Sequence, residues 1–319
     1  MKNGDLCTAI YEHLPGIDKI LESEKLPIHQ RIFGAAYLFV ELAVDAPEPT
    51  KREMIGSPMF RETIVPIVSD WYWMEYGSLC RNQCEKELSG ILSEHAQPLL
   101  IRFPQTLSRV ETEGETAWLT FPDTLREEES IGEMTGDLLD VARMPSAVAK
   151  AVQSEAAMVV GHSRSINLNL MSKGSLDNET FSLAQTIWPH FEKAIRDLLA
   201  LSQEGAAAAC WDLHLAVEKS YKVLIRSKAG NPPHSHNLIS LHQASIDCGA
   251  MIDVALMKRL PDEKSAIQFR YAEKLITPAE AICHYKTALT LVNQITSELP
   301  HTVRLNNTSL LIKVAPWAK

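Results

Sequence analysis

Cysteine is scarce. Six residues in a chain of 319 cannot frame a disulfide scaffold, and that sparseness fits a reducing compartment with free thiols. Long apolar runs are missing too. The best candidate, Phe33 to Val44, is interrupted by Glu41 and falls short of the roughly 18 apolar residues that a membrane span requires. The opening stretch carries Asp5 and Glu12 where a secretory leader needs unbroken apolar residues, so a cytoplasmic protein with no membrane partner is expected. An excess of positive charge is absent as well. The net charge of −9 argues against a wholly basic nucleic-acid binder, and no DNA partner is expected. No internal repeat or low-complexity segment occurs. What remains is an ordinary globular composition, 45% hydrophobic and 22% charged. Its length suits about two domains of roughly 150 residues each.

The charge is unevenly distributed. Gly205 to Pro300 holds ten basic and nine acidic residues, and the last nineteen residues add Arg304, Lys313 and Lys319, which leaves −13 on the first 204. An anionic ligand is therefore expected to meet the later part of the chain.

Apolar residues recur at helical spacing in Ile20 to Leu26, Ile32 to Leu42 and Ile64 to Met74, so the first 95 residues read as helices broken by Pro47, Pro49 and Pro58. Leu99 to Phe103 and Ala117 to Phe121 read as strands of a small sheet. A helix follows within Met134 to Met158, with Pro145 as a break. Ile166, Leu168 and Leu170 then alternate with asparagines at the period of a half-buried strand. Asp177 can cap one long helix carrying Phe181, Ala184, Trp188, Phe191, Ile195 and Leu198 and ending near Gly205. The alanines 206–209 mark the best domain boundary. Helical periodicity continues to Leu299, and Thr277-Pro278-Ala279-Glu280 is a capping box ahead of the stripe Ile282, Tyr285, Leu289, Val292, Ile295 and Leu299. The expected fold is mainly α with a small β element: an acidic α+β region over 1–204, a helical bundle over 205–300 and a tail over 301–319.

Three groups of residues can carry chemistry. On the helix from Trp211 to Lys228, Leu213, Val217, Tyr221, Leu224 and Ile225 share a buried face, while Lys219, Lys222 and Arg226 fall within a sector of about 60°. Three cations on one ridge can hold a phosphate; balanced by Glu218, the same ridge can be a solvated face. The loop Gly230 to Leu238 places His234 and His236 two residues apart, and without neighbouring ligands they suit capping or packing better than a metal. Phe269-Arg270-Tyr271 joins a permanent cation to an aromatic ring, which suits a nucleotide or a buried carboxylate.

The order His214-x3-Glu218-Lys219, Lys222, His236-Asn-Leu, Arg270-Tyr271 and a long closing helix resembles the HEPN domain, the nucleotide-binding module of higher eukaryotes and prokaryotes. The resemblance covers 205–299. It implies an up-and-down bundle of four or five helices, a homodimer or a partner protein, and a place in toxin, defence or stress systems. Members that cut RNA resemble one another in an Arg followed after about four to six residues by a His. Here Arg270 reaches His284 across thirteen residues and Arg226 reaches His234 across seven. The resemblance therefore implies the binding branch of the family, with Lys219, Lys222, Arg226, His236, Arg270 and Tyr271 holding a nucleotide or RNA. Neither catalytic residues nor a metal or cofactor are expected. Charged hydrogen bonds of about 1.5–3 kcal/mol each, set against an association cost of at least about 4, with a stacked base adding about 1–3, give millimolar to micromolar affinity. The alternatives are a structural or regulatory interaction module, with Arg270 buried against a carboxylate such as Glu218, and a ribonuclease with an altered motif.

Three further motifs carry less. Val159-Val160-Gly161-His162-Ser163-Arg164-Ser165 imitates a nucleophile elbow, but an alternating strand follows where a helix belongs. Cys80 and Cys84 lie one helical turn apart with no second pair and read as ordinary thiols. The acidic run Glu127-Glu128-Glu129 reads as a solvated loop or a helix start.

Overall fold

The computed structural model describes residues 3–80, 87–113, 115–171 and 176–313. In order, they form α1 (Asn3–Ser23), α2 (Ile28–Ala43), α3 (Glu48–Gly56), a π turn (Phe60–Ile64), α4 (Val65–Tyr76) and a 3-10 turn (Gly77–Cys80). The hairpin β1 (Glu87–Glu94) and β2 (Gln97–Pro104) comes next, then β3 (Leu107–Thr112), β4 (Thr116–Thr120) and a short α5 (Ile131–Met134). The rest is α6 (Ser146–Leu170), α7 (Asn178–Ala184), α8 (Ile187–Leu199), α9 (Gln203–Ala229), α10 (Leu238–Asp247), α11 (Val254–Lys258), α12 (Glu263–Arg270), α13 (Pro278–Ser297) and β5 (Ser309–Lys313). The chain is mainly α with a small β element. No helix among the described residues is long and apolar enough to cross a membrane.

Two compact units result. The first comprises Met1–Glu85, Val110–Ala117 and Leu311–Lys319; the second comprises Lys86–Arg109 and Trp118–Leu310. The division expected at Gly205 is not there, because α9 runs through the alanines without a break. Ser202 caps it by accepting from the Gly205 amide at 2.9 Å, and Ala206, Ala207 and Ala209 are buried. Gly205 is where α8 turns into α9 so closely that a Cβ would overlap the Asp197 carbonyl. Small residues here mark tight packing, not a linker.

In the first unit, Ile10, Leu14, Ile17 and Leu21 repeat every three or four residues along α1 and meet Ala36, Phe39 and Val40 of α2 and Val65, Val68 and Tyr72 of α4. Asp18 sits within this core and accepts hydrogen bonds from the hydroxyls of Tyr72 (2.7 Å) and Tyr76 (2.5 Å) and from Arg31 (3.2 Å). Burial opposes its ionisation, yet those three donors outweigh burial and hold its carboxyl below the ordinary value.

In the second unit, β1 pairs antiparallel with β2 in the register Glu87↔Pro104 to Glu94↔Gln97, and β1 packs on α6. Gly90 permits that approach: a Cβ there would overlap Val159 of α6. Strands β3, β4 and β5, of which only Leu107–Arg109, Trp118–Thr120 and Ser309–Leu310 belong to this unit, form a second sheet in that order. Helix α9 is the centre of the unit, with α8, α13, α12, α10 and α7 around it. The capping box at Thr277 forms as expected, Glu280 N donating to Thr277 Oγ1 and Thr277 N to Glu280 Oε2.

Three local expectations fail for physical reasons. Ile166 to Leu170 is the end of α6, not a strand; Asn167 and Asn169 are buried along with the apolar residues between them, so alternation of residue type does not mark an exposed face. The long helix after Asp177 is two helices. Pro189 has no N–H to donate to the Gln185 carbonyl, and Thr186 Oγ1 closes α7 onto the Leu183 carbonyl at 2.7 Å. The helical reading of the first 95 residues fails at Glu87–Glu94, whose apolar residues belong to the β1–β2 hairpin.

Candidate functional site

Trp211, His214, Glu218, Lys222 and Arg226 follow one another every three or four residues and form a single stripe along α9. Glu218 is its hub. Only 4% exposed, its carboxylate accepts from Lys222 Nζ at 2.7 Å and from His236 Nδ1 at 3.0 Å. Burial opposes the charge of Glu218, but the two donors prevail and hold the carboxyl below its ordinary value. The loop between α9 and α10 delivers His236, whose side chain is otherwise 67% exposed, and the next residue, Asn237, caps α10 through the Ile239 and Ser240 amides.

The main chain of His236 also anchors His214. His214 Nε2 lies 3.1 Å from the His236 carbonyl, so Nε2 carries the proton, and Nδ1 is buried without a hydrogen-bond partner among the described residues. Burial holds this imidazole below its ordinary pKa. Its ring is stacked 6.0 Å from Trp211 with an interplanar angle of 8°. Beyond Trp211, the Arg270 guanidinium stands 5.1 Å from the indole centroid and 5.3 Å from that of Tyr271, which is 61% exposed.

The six residues singled out from sequence therefore fall into separate groups. Lys222 and His236 meet on Glu218. Arg270 and Tyr271 gather at the Trp211 end of α9. Arg226, fifteen residues further along, lies about 22 Å away along the axis at 1.5 Å per residue, and it is paired with Glu179 of α7. Lys219 is half-buried, makes no ion pair among the described residues and is held below the ordinary lysine pKa by burial. One phosphate cannot touch all six. The expectation that Arg270 is buried against Glu218 is also overturned: Arg270 is exposed and sits on aromatic rings, while Glu218 takes Lys222 and His236. No protein-family model, curated protein or solved structure matches the chain.

Several functional-looking groups escaped the sequence. In the sequence Trp211 stands only as the start of the helix, and His214 only as part of the HEPN-like order and not as a site residue, although the three- and four-residue spacing to Glu218 and Lys222 is the signal that joins them. Asp212, on another face of α9, is buried and accepts from His190 Nδ1 at 2.8 Å and from Lys193. The elbow-like segment is mid-helix: Ser163 is buried in α6, and fully buried Arg164 forms a two-point ion pair with Glu129 at 2.6 and 2.8 Å while also donating to the carbonyls of Pro104 and Thr124. Glu129 thus belongs to the core and not to a solvated acidic run. Cys80 is buried, its thiol pushed up by burial and donating to the Tyr72 carbonyl; Cys84 lies outside the described residues. No group of three His, Cys, Asp or Glu among the described residues is placed to hold a metal.

Proposed function

We propose that the second unit is a HEPN-like module that binds a nucleotide or single-stranded RNA at the Trp211 end of α9 and self-associates, in the manner of toxin, defence or stress modules. The observation that carries this reading is the exposed Arg270 guanidinium set between the Trp211 and Tyr271 rings. An arginine beside an exposed ring offers a base a stacking surface and a phosphate a permanent cation, which are the two contacts that sequence-tolerant single-strand binding uses. His236 extends the polar edge toward Glu218. No catalytic step is assigned to this site. The pairing of Lys222 with Glu218 and of Arg226 with Glu179 reduces the charge available to a phosphate, so millimolar to micromolar affinity is expected.

The test is calorimetric titration with ATP, GTP and a short single-stranded RNA, with Arg270→Ala as control. Heat that disappears in the variant, and binding that weakens steeply with salt, support this reading. An exposed apolar set, Ile239, Ile246, Met251 and Val254, favours a second one, a protein-interaction module. That reading expects no heat from any nucleotide and a complex almost indifferent to salt.

A further inference from the structure

A cavity of about 630 Å³ opens on the sheet formed by β3, β4 and β5, at the end that belongs to the second unit. Its lining shares no residue with the Arg270 cluster. Trp118 and Thr120 are two apart on β4, so both point to the same face of the sheet. Thr120 Oγ1 lies 2.9 Å from Ser309 Oγ, which places β5's hydroxyl on that face beside them. The β4–β5 pairing continues just beyond through Phe121 N to Thr308 O (3.0 Å) and Asn307 N to Phe121 O (2.8 Å). Arg109 on β3 lines the cavity from the other side, and the loop after β4 brings in Arg126 and Glu128.

That loop is held from both ends. Arg126 Nη2 donates to Asn307 Oδ1 at 2.7 Å, fixing the guanidinium over the sheet. The Arg126 amide donates to Glu129 Oε2 at 3.0 Å, and Glu129 is the carboxylate buried against Arg164. The site is thus tied to the core and does not depend on a ligand to form. Neither Arg109 nor Arg126 makes an ion pair among the described residues, and together they carry two positive charges against one from Glu128. An indole, two hydroxyls and two guanidinium groups therefore line a cavity within the few-hundred-Å³ range of small-molecule sites.

We propose that this cavity binds a small anion carrying a planar ring, of the nucleoside monophosphate class. The ring lies against Trp118, the phosphate reaches Arg109 and Arg126, and the Thr120 and Ser309 hydroxyls meet the sugar or phosphate oxygens. Inorganic phosphate lacks the ring and adenosine lacks the charge, so each takes only part of the site.

The experiment is titration of the full chain with AMP, adenosine and inorganic phosphate, followed by tryptophan fluorescence and calorimetry. The variants are Trp118→Phe, Arg109→Ala/Arg126→Ala and Arg270→Ala. AMP is expected to quench part of the emission saturably, and Trp118→Phe to abolish that component. The double arginine variant is expected to weaken AMP at least about tenfold with unchanged circular dichroism, and adenosine to bind at least about tenfold more weakly than AMP. Arg270→Ala is expected to leave the Trp118 component intact, which separates this site from the one proposed on α9. Arg109→Glu, at an exposed position, repeats the charge test without touching the Asn307 contact. Quenching that Trp118→Phe leaves undiminished when Arg270→Ala has already disabled the Trp211 end, equal affinity of this component for AMP and adenosine, an unchanged midpoint in both arginine variants, or no AMP binding up to about 5 mM overturns the proposal.

Discussion

Each unit buries a carboxylate among side-chain donors, Asp18 in the first and Glu218 in the second, and these two are treated differently. Asp18 in the first unit takes all its donors from helices of the same core: Arg31 from α2, Tyr72 and Tyr76 from α4. Glu218 in the second unit takes one donor from its own helix, Lys222, and one from a surface loop, His236, which remains largely exposed. A closed network of buried groups serves to specify packing, whereas one with a solvent-facing donor can exchange that donor when something binds. The second unit thus combines a rigid central helix with a polar edge that remains accessible.

The largest expected effect breaks the closed network. Asp18→Ala leaves the Arg31 charge and the Tyr72 hydroxyl buried without their acceptor, and about 3–5 kcal/mol of the first unit's stability should be lost. Urea unfolding followed by hydrogen exchange in α1 and α4 checks this, with the amides of α9 as the internal reference. Glu218→Gln is the matching change in the open network. Because His236 and the tip of Lys222 can turn to water, the cost should be smaller, about 1–2 kcal/mol, read as a lower urea midpoint for α9.

Acid separates the units in a different way. Burial holds His162, His214, His242, His284 and His301, all in the second unit, below their ordinary pKa. The folded unit then binds fewer protons than its unfolded chain, so its stability is fully present above about pH 6.5 and is lost as the pH falls below that value toward the folded-state pKa values. His13 and His29 of the first unit are not buried. Its buried carboxylate, Asp18, has a depressed pKa, so that contribution is present above about pH 4 and is lost only as the pH falls through the folded value. Melting between pH 7 and pH 5, read separately in the two units, should therefore lower the transition of the second and leave that of the first in place. Equal shifts in both would show that the buried imidazoles do not govern the response.

The smallest effect is expected at Arg226→Ala. Its partner Glu179 is an exposed residue, and exposed ion pairs are worth about 0–1 kcal/mol. A thermal shift within a degree or two is the expected reading; a large one would mean that the α7–α9 contact depends on this pair.

Much of the helical architecture was legible in the sequence, since burial along one face forces a period on the residues. The stripe Leu213, Val217, Tyr221, Leu224 and Ile225 is buried, the capping box at Thr277 closes, and Pro145 sits at the N-cap of α6. Two of the errors share a cause. Where an element is buried on more than one side, as at Ile166 to Leu170 and along the alanines of α9, no polar face remains to reveal the period. The candidate site was legible residue by residue but not as a grouping. Arg270 and Tyr271 were visible, yet their association with Trp211 joins positions some sixty residues apart.

The sequence by itself determined the mainly helical character of the chain, the cap positions and the buried stripes, because these follow from local hydrogen bonding and from a period repeated over a few turns. Only the tertiary structure decided that Glu129 belongs to Arg164, that His236 joins Lys222 on Glu218, and that Arg109 and Arg126 share a cavity with Trp118. Those pairings depend on which distant segments the packing of the core brings within a few ångströms, and local spacing carries no record of that.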